Sequence, residues 1–266
     1  MASLVARPAF ILVLGLSLTS GFTDLITLVR FKQFAGLQTG NMMFIGQNLY
    51  QFTLPRYSHP ELVKEIAFHV ATLVSHFAGV FLFCAVAYWT TYPVRAAALM
   101  VPALTILGAV IDIGTQGNDW SVCLIAASLG AMNFIPSPNS NLSGKLFIMT
   151  TLTTGNLQKC AKMFFKFVSC QKFTDQEREQ TCLNLGTLPA DGVQDLGNAA
   201  TTVLATIIGA MLAALLLAGN PFGPEAYSQS WFLLPVAVVQ FSLLWFHDRT
   251  FRPRSTPDSE PDFQQD

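Results

Sequence analysis

Charged residues are scarce in this chain: Asp, Glu, Lys and Arg make up 12% of its 266 residues, where soluble domains carry about a quarter. With 52% hydrophobic residues beside them, an ordinary soluble domain is excluded and a multi-span membrane protein is indicated. The few charges nearly cancel, leaving a net charge of −1. Nucleic acid therefore meets no electrostatic footprint and is excluded as a partner. Cysteine is sparse as well. Cys84, Cys123, Cys160, Cys170 and Cys182 form no CxxC pair and no even framework, so neither a zinc site nor a disulfide scaffold is expected. Also missing are Gly-x-Ser-Gly, HExxH, a P-loop and the paired carboxylates of metal-dependent intramembrane enzymes. The motifs thus point to no recognised catalytic set, metal or cofactor.

What the chain has instead is long apolar runs, at roughly 9–29, 40–54, 66–91, 96–114, 120–136, 148–168, 196–218 and 231–247. Arg7 ahead of the first run imitates a signal peptide, but the run has the length of a full span and contains Asp24, so it is read as retained. Eight segments fall into two sets of four. The third of each set carries small residues at a spacing that lets helices approach closely, Ser75 and Gly79 in one, Ala205, Gly209 and Ala213 in the other. The second segment is different. A helix from Thr39 to Leu54 would cover only about 24 Å, short of the roughly 30 Å apolar slab. Its lead-in, Phe31 to Gln38, holds Lys32, Gln33, Gly36 and Gln38, which suits irregular backbone under a cover of protein or water.

Lys and Arg set the orientation. With eight crossings, eleven lie on one side and only Arg30, Lys32, Arg95 and Lys145 on the other. If the two short segments dip in without crossing, six crossings remain and the split is again eleven against four. Both counts put both termini in the cytoplasm. They differ in kind, since halves of four crossings are parallel repeats and halves of three are inverted ones. The single glycosylation sequon, Asn141-Leu142-Ser143, separates them: outside under eight, inside under six.

Two polar signals recur inside the apolar sequence. Gly21-Phe22-Thr23-Asp24 is followed by Thr39-Gly40-Asn41, and Gly130-Ala131-Met132-Asn133 by Thr154-Gly155-Asn156. A carboxylate as deep as Asp24 would cost about 2.5–3.5 kcal/mol if left charged and unpaired, so it should face a cavity or a partner and act as a proton or cation carrier. Asn133 would be its hydrogen-bonding counterpart. Each Thr-Gly-Asn reads as a helix start: the threonine an N-cap, the glycine a site of close approach. A helix N-terminus in a membrane cavity presents free N–H donors and suits an anionic group. Ordinary interfacial caps would read the same way, and the duplication, together with polar Asp24 and Asn133 upstream, favours a site.

His69 and His76 stand seven residues apart, on one helical face but about 10 Å apart along it. They cannot share a metal ion. Helix packing, a proton relay with Asp24 and a membrane redox site are the open readings for them. Asp112, near the end of its segment, reads as an interface residue. Lys159, Lys162 and Lys166 mark a cytoplasmic segment end and suit anionic lipid headgroups. Residues 251–266, rich in Pro, Ser and acid, read as a disordered cytosolic tail.

The ordered, duplicated motifs Gly21 to Asp24 with Thr39 to Asn41, and Gly130 to Asn133 with Thr154 to Asn156, resemble the YoaK-like family of integral membrane proteins, a domain of unknown function widespread in bacteria. The resemblance spans about residues 9 to 247, departing in the link from Lys166 to Gly197 and in the acidic tail. It implies a duplicated membrane protein and brings no substrate. The expected fold is therefore all-α: a polytopic bundle of six to eight crossings with an internal two-fold repeat and short half-helices. Residues 1–115 form the first repeat and 116–250 the second, with a basic cytosolic insertion near 166–197. The expected function is secondary transport or facilitated passage of a small polar or anionic solute across the bilayer, with proton coupling through Asp24 and a relay through His76 and His69. Thr39, Gly40, Asn41, Asn133, Thr154, Gly155 and Asn156 would bind the solute. The alternatives are a membrane redox protein using His69 and His76, and a structural or regulatory membrane protein without transport.

Overall fold

The computed structural model describes residues 8–54, 59–90, 92–134, 190–219 and 225–251. Thr154, Gly155, Asn156, the Asn141 sequon, the three-lysine cluster, the basic insertion up to residue 189 and the acidic tail lie outside the described residues. All regular structure within them is helical: α1 Pro8–Phe31, α2 Gln38–Phe52, α3 His59–Trp89, α4 Pro93–Gly114, α5 Val122–Phe134, α6 Ala190–Ala218 and α7 Leu233–Phe251. Short 3-10 turns, Asp119–Ser121 and Ala226–Phe232, lead into α5 and α7. Away from their ends, helices pair backbone N–H and C=O groups internally, which is what an apolar slab demands. Five segments are long and apolar enough to cross a membrane: α1, α3, α4, α6, and α7 together with its leading turn.

Breaks in the chain have local causes. Lys32 takes a φ of 58° and ends α1, while Gln116 (φ 53°) and Gly117 (φ 119°) turn the chain out of α4. Proline opens α4 at its first turn, where its missing N–H costs nothing.

Of the five spanning segments α1 is the most buried: 67% of its apolar window is covered, against 17% for α3. Accordingly, α1 packs between α6 and α7, α3 lies against α2 and α5, and α4 lies against α5 and α7. Outward faces are apolar rather than charged. Val70, Val74, Phe77 and Phe81 form an exposed stripe along α3, and Leu204, Ile208, Met211 and Leu215 another along α6, as lipid contact requires. Exposed tyrosines and tryptophans gather at both ends, Tyr88, Trp89 and Tyr92 at one, Trp120 and Trp231 at the other, the positions that membrane interfaces favour.

Directions are set by contacts at the helix ends. Arg95 at the start of α4 pairs with Asp248 near the end of α7 at 3.3 Å, and Ser230, just before α7, donates to Asp112 near the end of α4 at 2.6 Å. These two helices are antiparallel. Arg30, near the end of α1, reaches the same Asp112 at 2.6 Å, so α1 and α4 finish together. Phe68, early in α3, meets Trp120 at the start of α5 with ring centroids 5.3 Å apart, so α3 and α5 run together in the opposite sense. The ring of Phe52 at the end of α2 lies 4.4 Å from that of His59 at the start of α3. Thus α2 ends at the same end of the molecule as α1, and does not traverse it.

Two helix crossings share one design. A methyl group on Gly21 of α1 would collide with the Thr206 carbonyl of α6, and one on Gly209 of α6 with the Leu18 carbonyl of α1. Likewise Gly79 of α3 faces the Ala127 carbonyl of α5, and Gly130 of α5 the His76 carbonyl of α3. In each case the carbonyl lies three residues before the partner's glycine. Backbone meets backbone there, the close approach that small residues permit in apolar surroundings.

Candidate functional site

Asp24 sits on α1 seven residues before its end at Phe31, or about 10 Å below that end. It is only 3% exposed. After Lys32 the chain turns back along α1, and the Gly36 N–H donates to Asp24 Oδ1 at 2.6 Å. One turn further along α1, Thr27 Oγ1 accepts from the Ala35 N–H at 3.3 Å. Asp24 and Thr27 therefore hold the returning segment at their own depth, and α2 begins there, at Gln38. Gly36 permits this approach because a side chain on it would press into the carboxylate. Asp24 Oδ2 has no hydrogen-bond partner among the described residues.

His76 of α3 closes on the same peptide from the other side, its Nδ1 lying 3.1 Å from Ala35 O. A carbonyl only accepts, so His76 donates through Nδ1 in this contact. Gln38 Nε2 donates to the same oxygen at 2.8 Å. The Ala35–Gly36 peptide is thus gripped at both poles, by Asp24 at its N–H and by His76 and Gln38 at its C=O. Asp24 and His76 thus meet through this peptide, with no direct hydrogen bond between them among the described residues.

The triplet Thr39-Gly40-Asn41 has a different part from the one its sequence suggests. The N-cap of α2 is Leu37, without a side-chain cap, and Thr39 lies inside the first turn and is exposed. Thr39 as N-cap is therefore incorrect: the chain enters the helix two residues earlier because the Asp24 contact fixes Gly36. Gly40 gives room to the Phe34 ring, which a side chain would strike. Asn41 is fully buried and returns to the loop, accepting from Phe34 N–H at 3.0 Å and donating to Phe34 C=O at 2.6 Å. It replaces the ladder partner that this stretch of irregular backbone lacks.

His69 stacks on Phe44 of α2 with ring centroids 5.1 Å apart, two turns away from His76. Asn133 stands at the end of the described α5, three residues after the crossing glycine Gly130, just as Asp24 comes three after Gly21. Asp112 is not an interface residue: it is fully buried and bound by Arg30 at both carboxylate oxygens, at 3.0 and 2.6 Å. Asp119 also reaches Arg30, at 3.1 Å. These partners lie 82 and 89 residues apart in the chain, and no local pattern announces them.

Sequence reasoning does not reach Thr27, Gln33, Ala35, Gly36 and Gln38 as site residues. The one signal is the polar lead-in, whose run of Lys32, Gln33, Gly36 and Gln38 marks backbone that needs partners without naming them.

The family model described as "Protein of unknown function (DUF1275)" matches residues 12–241. No curated protein and no solved structure matches the chain. The matched stretch runs from the first turns of α1 into α7 and takes in both copies of the duplicated motif, so the chain belongs to the DUF1275 family, the YoaK-like family of integral membrane helical proteins.

Proposed function

We propose that the protein is a secondary transporter or facilitator of a small polar solute with an anionic group, coupled to protons at Asp24. The observation that carries this reading is the start of α2: a helix N-terminus opening about 10 Å inside the bundle against a buried carboxylate. An ionised Asp24 accepts from the Gly36 N–H just ahead of α2, and its charge is favoured by the positive end of that helix. Protonation removes that charge and leaves the helix end to the anionic group of a solute. Proton and anion then enter together, with no net charge added to the buried site.

The architecture we infer for this is a pair of inverted repeats, each of three crossings and one short half-helix. Support comes from the ion pairs. Eight crossings would set Arg30 and Asp119 on opposite faces, and Arg95 and Asp248 likewise, yet each pair is in contact. Further support is the exchange of partners, in which the first helix of each half crosses the third helix of the other through the same glycine contact. Inverted repeats with interrupted helices at the midplane are a recurring transporter design.

The test is Asp24→Asn in proteoliposomes. Asparagine keeps the size and resembles the protonated acid, so solute exchange should persist while an inward proton gradient no longer drives accumulation. Accumulation that still tracks the proton gradient in this variant would overturn the coupling role.

A further inference from the structure

Beside the Asp24 loop lies a cleft of about 710 Å³, walled by the end of α1, by α2, by the first turns of α3 and by the turn before α5. Its lining combines three features. Gln33 and His69 form part of it while being only 2% and 6% exposed, and Gln33 Oε1 and His69 Nδ1 have no hydrogen-bond partner among the described residues. Buried polar atoms without partners are rare in folded chains and call for a ligand or ordered water. Around them stand two ammonium groups, Lys32 and Lys64, and two carboxylates, Glu61 and Glu65, while the third carboxylate of the lining, Asp119, is paired with Arg30. None of the first four is in an ion pair among the described residues. Finally, Gln33 belongs to the loop whose Gly36 is held by Asp24, so an occupant of the cleft rests on the segment that proton binding would release.

We infer that this cleft binds a small zwitterion carrying a primary ammonium and a carboxylate, the chemistry of an α-amino acid. A plain anion would suit Lys32 and Lys64 but would be repelled by Glu61 and Glu65; a plain cation meets the reverse conflict. A zwitterion answers both, and its ammonium supplies the N–H donor that Gln33 Oε1 lacks. Solvated surface charge is the ordinary fate of exposed Lys and Glu, but it leaves the buried Gln33 and His69 atoms unexplained. The inference names the solute class of the proposed transporter and rests on that reading only for the transport steps after binding.

The experiment uses the full chain in lipid nanodiscs, with equilibrium binding measured by calorimetry. The probes are glycine, glutamine and leucine, against acetate, ethylamine and inorganic phosphate. At least one amino acid should bind saturably, with acetate, ethylamine and phosphate each at least about tenfold weaker. Glu65→Gln and Lys64→Gln, both at exposed positions, should each weaken binding by about tenfold, and His69→Asn by at least as much. Saturable amino-acid binding by the wild-type chain without proton-driven accumulation in proteoliposomes would keep the cleft and overturn the coupling reading, whereas proton-driven accumulation unaffected by Glu65→Gln and Lys64→Gln would overturn the cleft alone, so the two failures give different results. No saturable amino-acid binding, equal binding of acetate or phosphate, or indifference to the Glu65 and Lys64 changes would each overturn the assignment.

Discussion

Asn41 uses both ends of its amide on one residue of backbone, accepting from Phe34 N–H and donating to Phe34 C=O. Removing it in Asn41→Ala leaves both groups unpaired, at about 1–3 kcal/mol for each. Thermal unfolding in detergent should show a large fall in midpoint, and Asn41→Asp, which keeps the acceptor and loses the donor, should fall between Ala and wild type. Thr39→Ala, at an exposed position without a capping bond, should change little. Asp112 offers a second test at this scale. It is buried against Arg30, and Asp112→Ala leaves the guanidinium only the exposed Asp119, which should cost up to about 3–5 kcal/mol; replacing Arg30 and Asp112 together by Met and Leu should cost less than Asp112→Ala alone. Asp24 is legible in sequence because a carboxylate within an apolar run is costly wherever the run folds. Asp112 is not, because the residue that neutralises it lies 82 positions away.

At the scale of elements, α2 shows how length and position combine. Its fifteen residues span about 22 Å, too short for a slab of about 30 Å, so its shortness is readable. Where it starts is not, because that depth depends on two hydrogen bonds between α1 and the returning loop. The crossings of α1 with α6 and of α3 with α5 make a paired prediction. Gly21→Ala and Gly130→Ala press a methyl into a carbonyl and should each destabilise by about 1–3 kcal/mol or more. Gly46→Ala, with nothing near its added methyl, should be neutral or gain up to about 1 kcal/mol from helix propensity. Equal losses at all three sites, measured by thermal unfolding, would show that helix propensity rather than close packing governs them.

For the whole molecule the decisive question is which loops share a face of the membrane. The six crossings we propose would put Lys32 and Lys64 on the face opposite the termini, and Arg95 and Arg249 on the face of the termini. In a background lacking the five native cysteines, Lys32→Cys and Lys64→Cys should react with a membrane-impermeant maleimide from the same side. Arg249→Cys should react only from the other. Labelling of positions 32 and 64 from opposite sides would restore eight crossings and remove the inverted repeat. With the termini in the cytoplasm, as the Lys and Arg count predicts, the proposed six crossings would leave the Asn141 sequon inside and unglycosylated.

Composition and pattern alone were enough for a helical membrane protein of this family. Apolar runs of spanning length have few stable alternatives in lipid, and the ordered Gly-x-x-Asp and Thr-Gly-Asn motifs are visible without any contact being known. Ser75 with Gly79, and Ala205 with Gly209, already mark the helix faces that come closest. Tertiary structure decided the rest: that α2 returns to the end it came from, that Leu37 rather than Thr39 precedes it, that Asp112 is inside, and that Gln33 and His69 line one cleft. Each of these depends on residues distant in sequence meeting through short-range hydrogen bonds and steric contact, forces that act over a few ångströms and leave no period or composition in the chain to read.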